Sequence, residues 1–443
     1  MTSEPGIDKN SFKDLFNNLD STYQKILLTS SWLLPDVDLP LEVLMRVSKN
    51  DQEAEIKQRL GFLASMGFLG RSENGFIINH KVSSLIKEIS NPILAKEMLH
   101  AVSRAMHEIT NSLEKAEEFE PYALQVDKLA QQGQIQKIAT AGLLFGLLGR
   151  YKLQTGENDE AVKFIRRALL IVEKVSGIES EEHTENLNNL GSALHKMGRF
   201  EDAKKCFEQA IIIDSKILDK NDPAVAIGHN NLGQVMIDMN NLDNAIIHLE
   251  KALEINTDNF GKDHPLVASG NYNLGMALLN IGDLPRARAQ LELALAKRKK
   301  IFGDNSLEVA VAHHGLGMAM QTIGNSPGAI EHYERAIKIF ELNNTPENFE
   351  LAASYANLGG VFHANRDFNN AKEYYQKSFS IMTSSLSEND KNLKDLEFQM
   401  KLVEEKTTMA ELLEKMETGE HLSEPILEFL SDRYSEEKEK LNN

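Results

Sequence analysis

Few side chains in this sequence are spaced for catalysis. The thirteen histidines are scattered. The only adjacent two, His313 and His314, would point about 100° apart on a helix, which keeps them from sharing one metal ion. The His-x-x-x-His spacing of helical zinc sites does not occur. The single cysteine, Cys206, precedes Phe207 on a helical stretch, a place for packing rather than for a nucleophile. There is no G-x-S-x-G elbow. Gly261-Lys262-Asp263 lacks both the first glycine and the Ser/Thr of a phosphate-binding loop. Carboxylates are abundant but recur with the helix surface, as solvated faces do. The expectation is a chain that is not an enzyme and holds no cofactor and no metal.

One polar residue type does recur at fixed spacing. Asn189, Asn231, Asn273 and Asn357 each stand two positions before a glycine that returns every 42 residues, and Gly315 interrupts the row. An Asn side chain offers one acceptor and two donors, so it can pair with both the C=O and the N–H of one peptide unit. The preceding column reads Asn188, Asn230, Tyr272, His314, Ala356, with no Lys or Arg. Arg150 and Lys196 are the only basic groups expected nearby.

These residues sit in an internal repeat. Leu148-Gly149, Leu190-Gly191, Leu232-Gly233, Leu274-Gly275, Leu316-Gly317 and Leu358-Gly359 follow one another at 42 residues. Twelve residues after each Gly comes an Ala: Ala161, Ala203, Ala245, Ala287, Ala329, Ala371. Seven further on stand Ala168, Ala210, Ala252, Ala294, Ala336 and Ser378. Each unit reads as two helices, A and B, broken by a short turn. In the third, Asp222-Pro223 opens helix A, Asn240-Asn241 ends it, and Asp243 is placed to cap helix B. Small residues belong where two helix axes approach closely, and Leu232 and Leu249 fill the gaps between them. One hairpin cannot bury its apolar face alone, so neighbours are expected to stack into a superhelix. Longer connections between units, such as Asn256–His264, would explain a period above the usual ~34.

The small-Leu-Gly, Ala and Ala spacing resembles the tetratricopeptide repeat. The 42-residue period, with Asn-Asn-Leu-Gly in helix A and Phe-Gly-Lys-Asp-His-Pro from Phe260 to Pro265, is similar to the kinesin-light-chain subclass. The resemblance covers residues 141–385. It implies a mainly α fold, an α-solenoid of tetratricopeptide-type helical hairpins whose A helices line a concave face. It places Asn188, Asn189, Asn230, Asn231, Tyr272, Asn273, His314 and Asn357 in a groove where a protein or peptide partner would be gripped by its backbone. The same Asn could instead tie neighbouring helices together. The columns lack the basic residues with which one subclass clamps a C-terminal carboxylate. In the sixth unit Arg366 stands at the turn Gly and Ser378 at the second Ala, as at the end of an array.

Residues 1–91 read as a winged-helix-like domain. Ser11–Leu19, Thr22–Leu34, Leu41–Val47 and Asp51–Met66 are helical, the last with Ile56, Leu60 and Leu63 on one face. Strands Phe68–Arg71 and Phe76–Ile78 follow, joined by Ser72–Gly75, where Asn74-Gly75 is a hairpin-turn signal. A winged helix invites the alternative of a ligand-responsive transcription regulator, since such a helix often enters the major groove. Here the Asp51–Met66 helix opens with Asp51, Glu53 and Glu55 against Lys57, Gln58 and Arg59, and the carboxylates would repel phosphates.

The run Leu60–Leu69, the hairpin and Ile78-Asn79-His80-Lys81-Val82 are similar to the winged helix that follows the nucleotide module of STAND (NB-ARC) signalling ATPases. Residues 92–140 resemble the helical connector placed there before a repeat array. In that family a Met-His-Asp motif supplies a His to the nucleotide phosphates. His80 matches the His, Asn79 and Lys81 depart from it, and the nucleotide module is missing from this sequence. His80 is therefore read as a local hydrogen-bonding residue.

A chain of 443 residues needs more than one core or an elongated array. Its net charge of −18 argues against nucleic-acid and anionic-membrane partners. One cysteine and no signal peptide point to a reducing, cytoplasmic setting. No apolar run approaches the ~20 residues of a membrane span. Residues 386–443 carry 16 Asp/Glu and 8 Lys/Arg, yet Leu393, Leu396, Met400, Val403 and Ala410 keep a helical stripe. They read as acidic capping helices for the array, a long one and then Glu424–Tyr434, with a coiled-coil homodimer as the alternative. The function expected is a non-catalytic scaffold, adaptor or sensor for protein partners.

Overall fold

The computed structural model describes residues 9–33, 35, 39–48, 53–66, 68–72, 75–78, 80–89, 92–111, 113, 116–136, 138, 140–343, 349–385, 390–418, 422–423 and 426–427. They fall into two compact units, Met1–Lys220 and Asn221–Asn443.

The first unit opens with α1 (Lys9–Asn17), α2 (Ser21–Trp32), α3 (Leu41–Ser48) and α4 (Glu53–Ser65). β1 (Gly70–Arg71) and β2 (Phe76–Ile77) pair antiparallel, Gly70 opposite Ile77, and α5 (His80–Ile89) follows. Asp20 caps α2 by accepting from the Thr22 and Tyr23 N–H groups. Ile56, Leu60 and Leu63 of α4 are fully buried, as their spacing predicts. The buried hydroxyls of Thr29, Ser30 and Ser31 each donate to a carbonyl one turn back, and Ser83 of α5 donates to the Ser31 carbonyl at 2.8 Å. The Leu39 N–H donates to the Phe76 carbonyl at 2.8 Å and ties the hairpin to the chain before α3. Asp51, Asn74 and Asn79 lie outside the described residues. α6 (Pro92–Asn111) and α7 (Ala116–Ile135) complete this bundle.

Hairpins follow: α8 (Thr140–Gln154) with α9 (Asn158–Val175) and α10 (Glu181–Lys196) with α11 (Phe200–Ile217). The second unit carries α12 (Pro223–Asp238) with α13 (Leu242–Phe260) and α14 (Pro265–Asn280) with α15 (Leu284–Phe302). It continues with α16 (Leu307–Ile323) and α17 (Ser326–Leu342), then α18 (Phe349–Ala364) and α19 (Phe368–Ser385). α20 (Lys391–Glu404) and α21 (Met409–Thr418) end the described chain.

The repeat columns have a steric cause. A Cβ on Gly149, Gly191, Gly233, Gly275, Gly317 or Gly359 would lie 2.3–2.8 Å from the helix-B side chain sixteen residues on, from Ile165 to Tyr375. All six alanines from Ala161 to Ala371 are fully buried. Each helix A ends on a left-handed residue: Gly156, Gly198, Asn240, Gly282, Gly324 and Arg366.

Three expectations change. Asp222 caps α12 as expected, through the Ala224 N–H, but the cap of α13 is Asn241, and Asp243 lies in its first turn. Asn256–Phe260 belong to α13 rather than to a connection, so the long period comes from longer B helices, 19 residues in α13 and α15. The C-terminal helix is not one long rod. It breaks at Lys406, whose φ is +51°, and Thr408 and Glu411 form a capping box for α21. Leu393, Leu396 and Val403 pack with Ala352, Ala371 and Tyr375, whereas Ala410 is exposed. Glu424–Tyr434 lies outside the described residues apart from 426–427.

Candidate functional site

The A helices hold the Asn row half-buried. In the first unit Asn188 and Asn189 lie on α10, and Asn188 Oδ1 is buried with no hydrogen-bond partner among the described residues. Lys196, at the end of α10, donates to the Leu153 carbonyl at 3.2 Å and so caps the preceding helix A. Arg150 lines a small cavity with His107 and Asn186.

In the second unit the row is bonded from hairpin to hairpin. Asn273 Nδ2 donates to Asn230 Oδ1 at 3.0 Å. Asn357 Nδ2 lies 3.5 Å from His314 Nε2. Ser354 Oγ donates to the Glu350 carbonyl and so accepts from His314 Nδ1 at 2.8 Å. That network assigns the proton to Nδ1 and leaves Nε2 to accept. Burial lowers the His314 pKa to about 4, which keeps the ring neutral. The Asn231 side-chain amide has no hydrogen-bond partner among the described residues, so the row contains both tied and untied rungs.

The gap at Gly315 has a physical reason. A Cβ there would lie 2.8 Å from the Tyr272 ring, so the next residue in the row surrenders its side chain to that ring. The Arg298 guanidinium stacks over Tyr272, 4.6 Å from its centroid, and donates to the Glu308 carbonyl at 2.9 Å. Sequence reading missed this buried cation, because Arg298 lies on a B helix, outside the columns inspected.

A second ladder was also missed. Residues 19 apart join helix A to helix B of one hairpin. Phe145 stacks on Phe164 in the first unit. In the second, His229 Nδ1 meets His248 Nδ1 at 2.8 Å, Asn271 donates to Gln290 at 2.6 Å, and His313 Nδ1 meets His332 Nδ1 at 2.9 Å. Tyr355 stacks on Tyr374. Aligning units on their period would have put these side chains in two columns of like types. Burial, then the facing ring, lowers His229 to about 4 and His313 to about 3. His229 and His313 are therefore neutral, and within each pair one ring nitrogen donates and the other accepts. His313 turns to its own hairpin and His314 to the next.

Other groups stay apart from this face. Burial pushes the Cys206 thiol up to about 11. His80 stands exposed at the first residue of α5. On α4, Lys57 pairs with Glu53 and Arg59 with Glu55, both at 2.6 Å. No group of three or more potential metal ligands occurs among the described residues, and none of their helices is long and apolar enough to cross a membrane.

Models of the tetratricopeptide repeat match residues 140–216, 183–258, 224–300 and 266–342, and a further one matches 352–381. No curated protein sequence matches the chain. Among solved structures, a signal transduction ATPase with numerous domains (STAND) and a tetratricopeptide repeat sensor, from Pyrococcus horikoshii, is similar over 100% of this chain and 68% of its own. Its identity is 15% and its TM-score 0.55, a likeness of fold. A kinesin light chain protein with nearly identical TPR-like repeats from Podosopora anserina is 22% identical, covering 45% of this chain and 95% of its own at a TM-score of 0.40. A Rap protein complexed with Competence and Sporulation Factor is 15% identical, covering 74% and 93% at 0.48.

Proposed function

We propose, from the premise that residues 140–342 and 352–381 belong to the tetratricopeptide repeat family, that this chain is a non-catalytic adaptor or sensor binding an extended segment of a protein partner along its A helices. The mixed row of amides carries the reading. Asn273 uses one donor on Asn230 and keeps its carbonyl and a second N–H, while Asn231 keeps its whole amide. Half-buried amides in register at Asn189, Asn231, Asn273 and Asn357 suit a peptide backbone without demanding particular side chains.

Residues 1–91 join this array to another component in the same reading, as a winged helix of the kind STAND proteins place before their repeats. A cytoplasmic setting fits the single reduced thiol. The stripe of α20 is packed within the array, so a homodimer would have to use Leu413 and Met416 of α21, which are half-exposed. The DNA-regulator alternative is weaker, because the basic residues of α4 are neutralised by carboxylates one turn away.

The test compares partners captured from the native host by the parent and by Asn231→Ala. Loss of the captured partner with unchanged melting supports the grip. Equal capture by both would overturn it. A salt-sensitive complex with random duplex tighter than about 10 μM would move the DNA reading to first place.

A further inference from the structure

At the end of the second unit the A-helix face closes into a cavity of about 690 Å³, within the ~300–1,000 Å³ range of ligand pockets. Its lining comes from α16, α18, α19 and α20, and from Thr408–Ala410 at the start of α21.

Two polar side chains of the lining are oriented by their neighbours. Tyr333 donates to Gln321 Oε1 at 2.9 Å, which fixes that amide and leaves its N–H groups to donate. His363 Nε2 donates to the Thr407 carbonyl at 2.8 Å, so Nδ1 is left to accept from the Tyr375 hydroxyl at 3.5 Å. With its proton directed at that ring, Tyr375 Oη offers its lone pairs. Gln321 Nε2 is thus a donor and Tyr375 Oη an acceptor. Gly360 opens the space beside both. A Cβ there would lie 3.6 Å from Tyr375 Oη and 3.8 Å from Gln321 Nε2, in ordinary contact with each.

A donor and an acceptor around one space select among polar groups. A trans peptide group points its C=O and N–H in opposite directions, so it cannot use both. A primary carboxamide carries its C=O and one N–H on the same edge. Its oxygen can accept from Gln321 while its nitrogen donates to Tyr375. A carboxylate has no proton to give to Tyr375 Oη, and a thioether donates nothing. Met318, Met382 and Met409 line the same cavity with an adaptable apolar surface for the stem of such a side chain. Asn357 and Gln399 add amides for the flanking peptide groups.

We infer that this cavity binds a peptide stretch through a Gln or Asn side chain, its carboxamide seated over Gly360 between Gln321 Nε2 and Tyr375 Oη. The inference narrows the reading of the array as a peptide binder and rests on it.

Acetylated pentapeptide N-methylamides with a central Gln, Asn, Glu or Met, and flanks randomised without Gln or Asn, are titrated into the full chain by calorimetry. The Gln or the Asn mixture is expected to bind roughly tenfold or more tightly than the Glu and Met mixtures. Gln321→Glu keeps an acceptor for Tyr333 but removes the donor, and Tyr375→Phe removes the acceptor. Each should erase the preference for a carboxamide over Met. Gly360→Ala places a methyl where the carboxamide must lie. It should melt no lower than the parent and bind the carboxamide mixtures roughly tenfold or more weakly. Equal binding of the four mixtures, parental affinity in Gly360→Ala, or no binding of any mixture at millimolar concentration would overturn the inference. Asn231→Ala lies outside the cavity. Loss of partner capture in that variant, without a carboxamide preference here, would uphold the array reading while rejecting this cavity.

Discussion

The N-terminal bundle and the hairpins of the second unit are both helical, yet opposite kinds of contact hold them. In the bundle, Ser83 reaches the Ser31 carbonyl and Lys128 the Leu33 carbonyl, 52 and 95 positions away. In the hairpins, Asn273 reaches Asn230, Arg286 reaches Glu250 and Lys300 reaches Asp263, 43, 36 and 37 positions away. The bundle core is made of large side chains such as Phe12, Trp32 and Phe68. The hairpins close on Gly and Ala. Damage should therefore spread through the bundle and stay near its origin in the hairpins.

The largest expected effect is in the bundle. Leu60→Ala, at a fully buried position, should cost about 2–5 kcal/mol and expose amides from α1 to α5 together in hydrogen exchange. Ala245→Phe should come next, at roughly 1–3 kcal/mol or more from overpacking, with exchange confined to α12–α15. Exchange that spread evenly through α12–α19 would erase the contrast.

The histidine pairs give the hairpins a dependence on pH that a Gly and Ala seam lacks. The folded pKa values of His229, His313 and His332 lie below the ordinary 6.5. The unfolded chain takes up protons as pH falls through 6.5, whereas folded His229 takes one up only near 4 and folded His313 only near 3. Stability is thus full above about pH 7 and falls as pH drops from 6.5 towards 4. The loss should be about 2 kcal/mol for each of His229 and His313, allowing for solvent at the open ring edges. His229→Asn/His248→Gln would copy the Asn271–Gln290 rung, and its melting should show a smaller loss between pH 7 and pH 5 than the parent. An identical pH profile would remove the pairs from the explanation. The smallest effect is Asn273→Ala, about 1 kcal/mol from a lost neutral hydrogen bond. A melting curve identical to the parent's would mean that the tie to Asn230 contributes nothing.

The sequence displayed the scaffold better than the chemistry. The Gly and Ala columns were legible because a close helix crossing admits only small residues, and the same demand recurs in every unit. The turn column was legible wherever Gly filled it, and less so at Asn240 and Arg366, which adopt the same left-handed backbone. The like-with-like pairs were hidden because each joins two helices at a separation of 19, and no single column reveals both members. The break at Lys406 was hidden because the apolar stripe continues past it. The cavity needs Gln321, Asn357 and Gln399 from three helices, and spacing along one helix says nothing of that convergence.

Tyr272 and Gly315 carry a consequence for how such a chain can change in length. Repeat arrays grow and shrink by whole units, and identical units would tolerate this. Here the ring of Tyr272 occupies the place that a side chain at Gly315 would need, so these two hairpins are fitted to one another. Loss of residues 308–349 would keep the 42-residue register but set Tyr272 against Asn357, where even a Cβ has no room. A lineage that dropped this unit would have to change a second residue at once, so these two hairpins are inherited together.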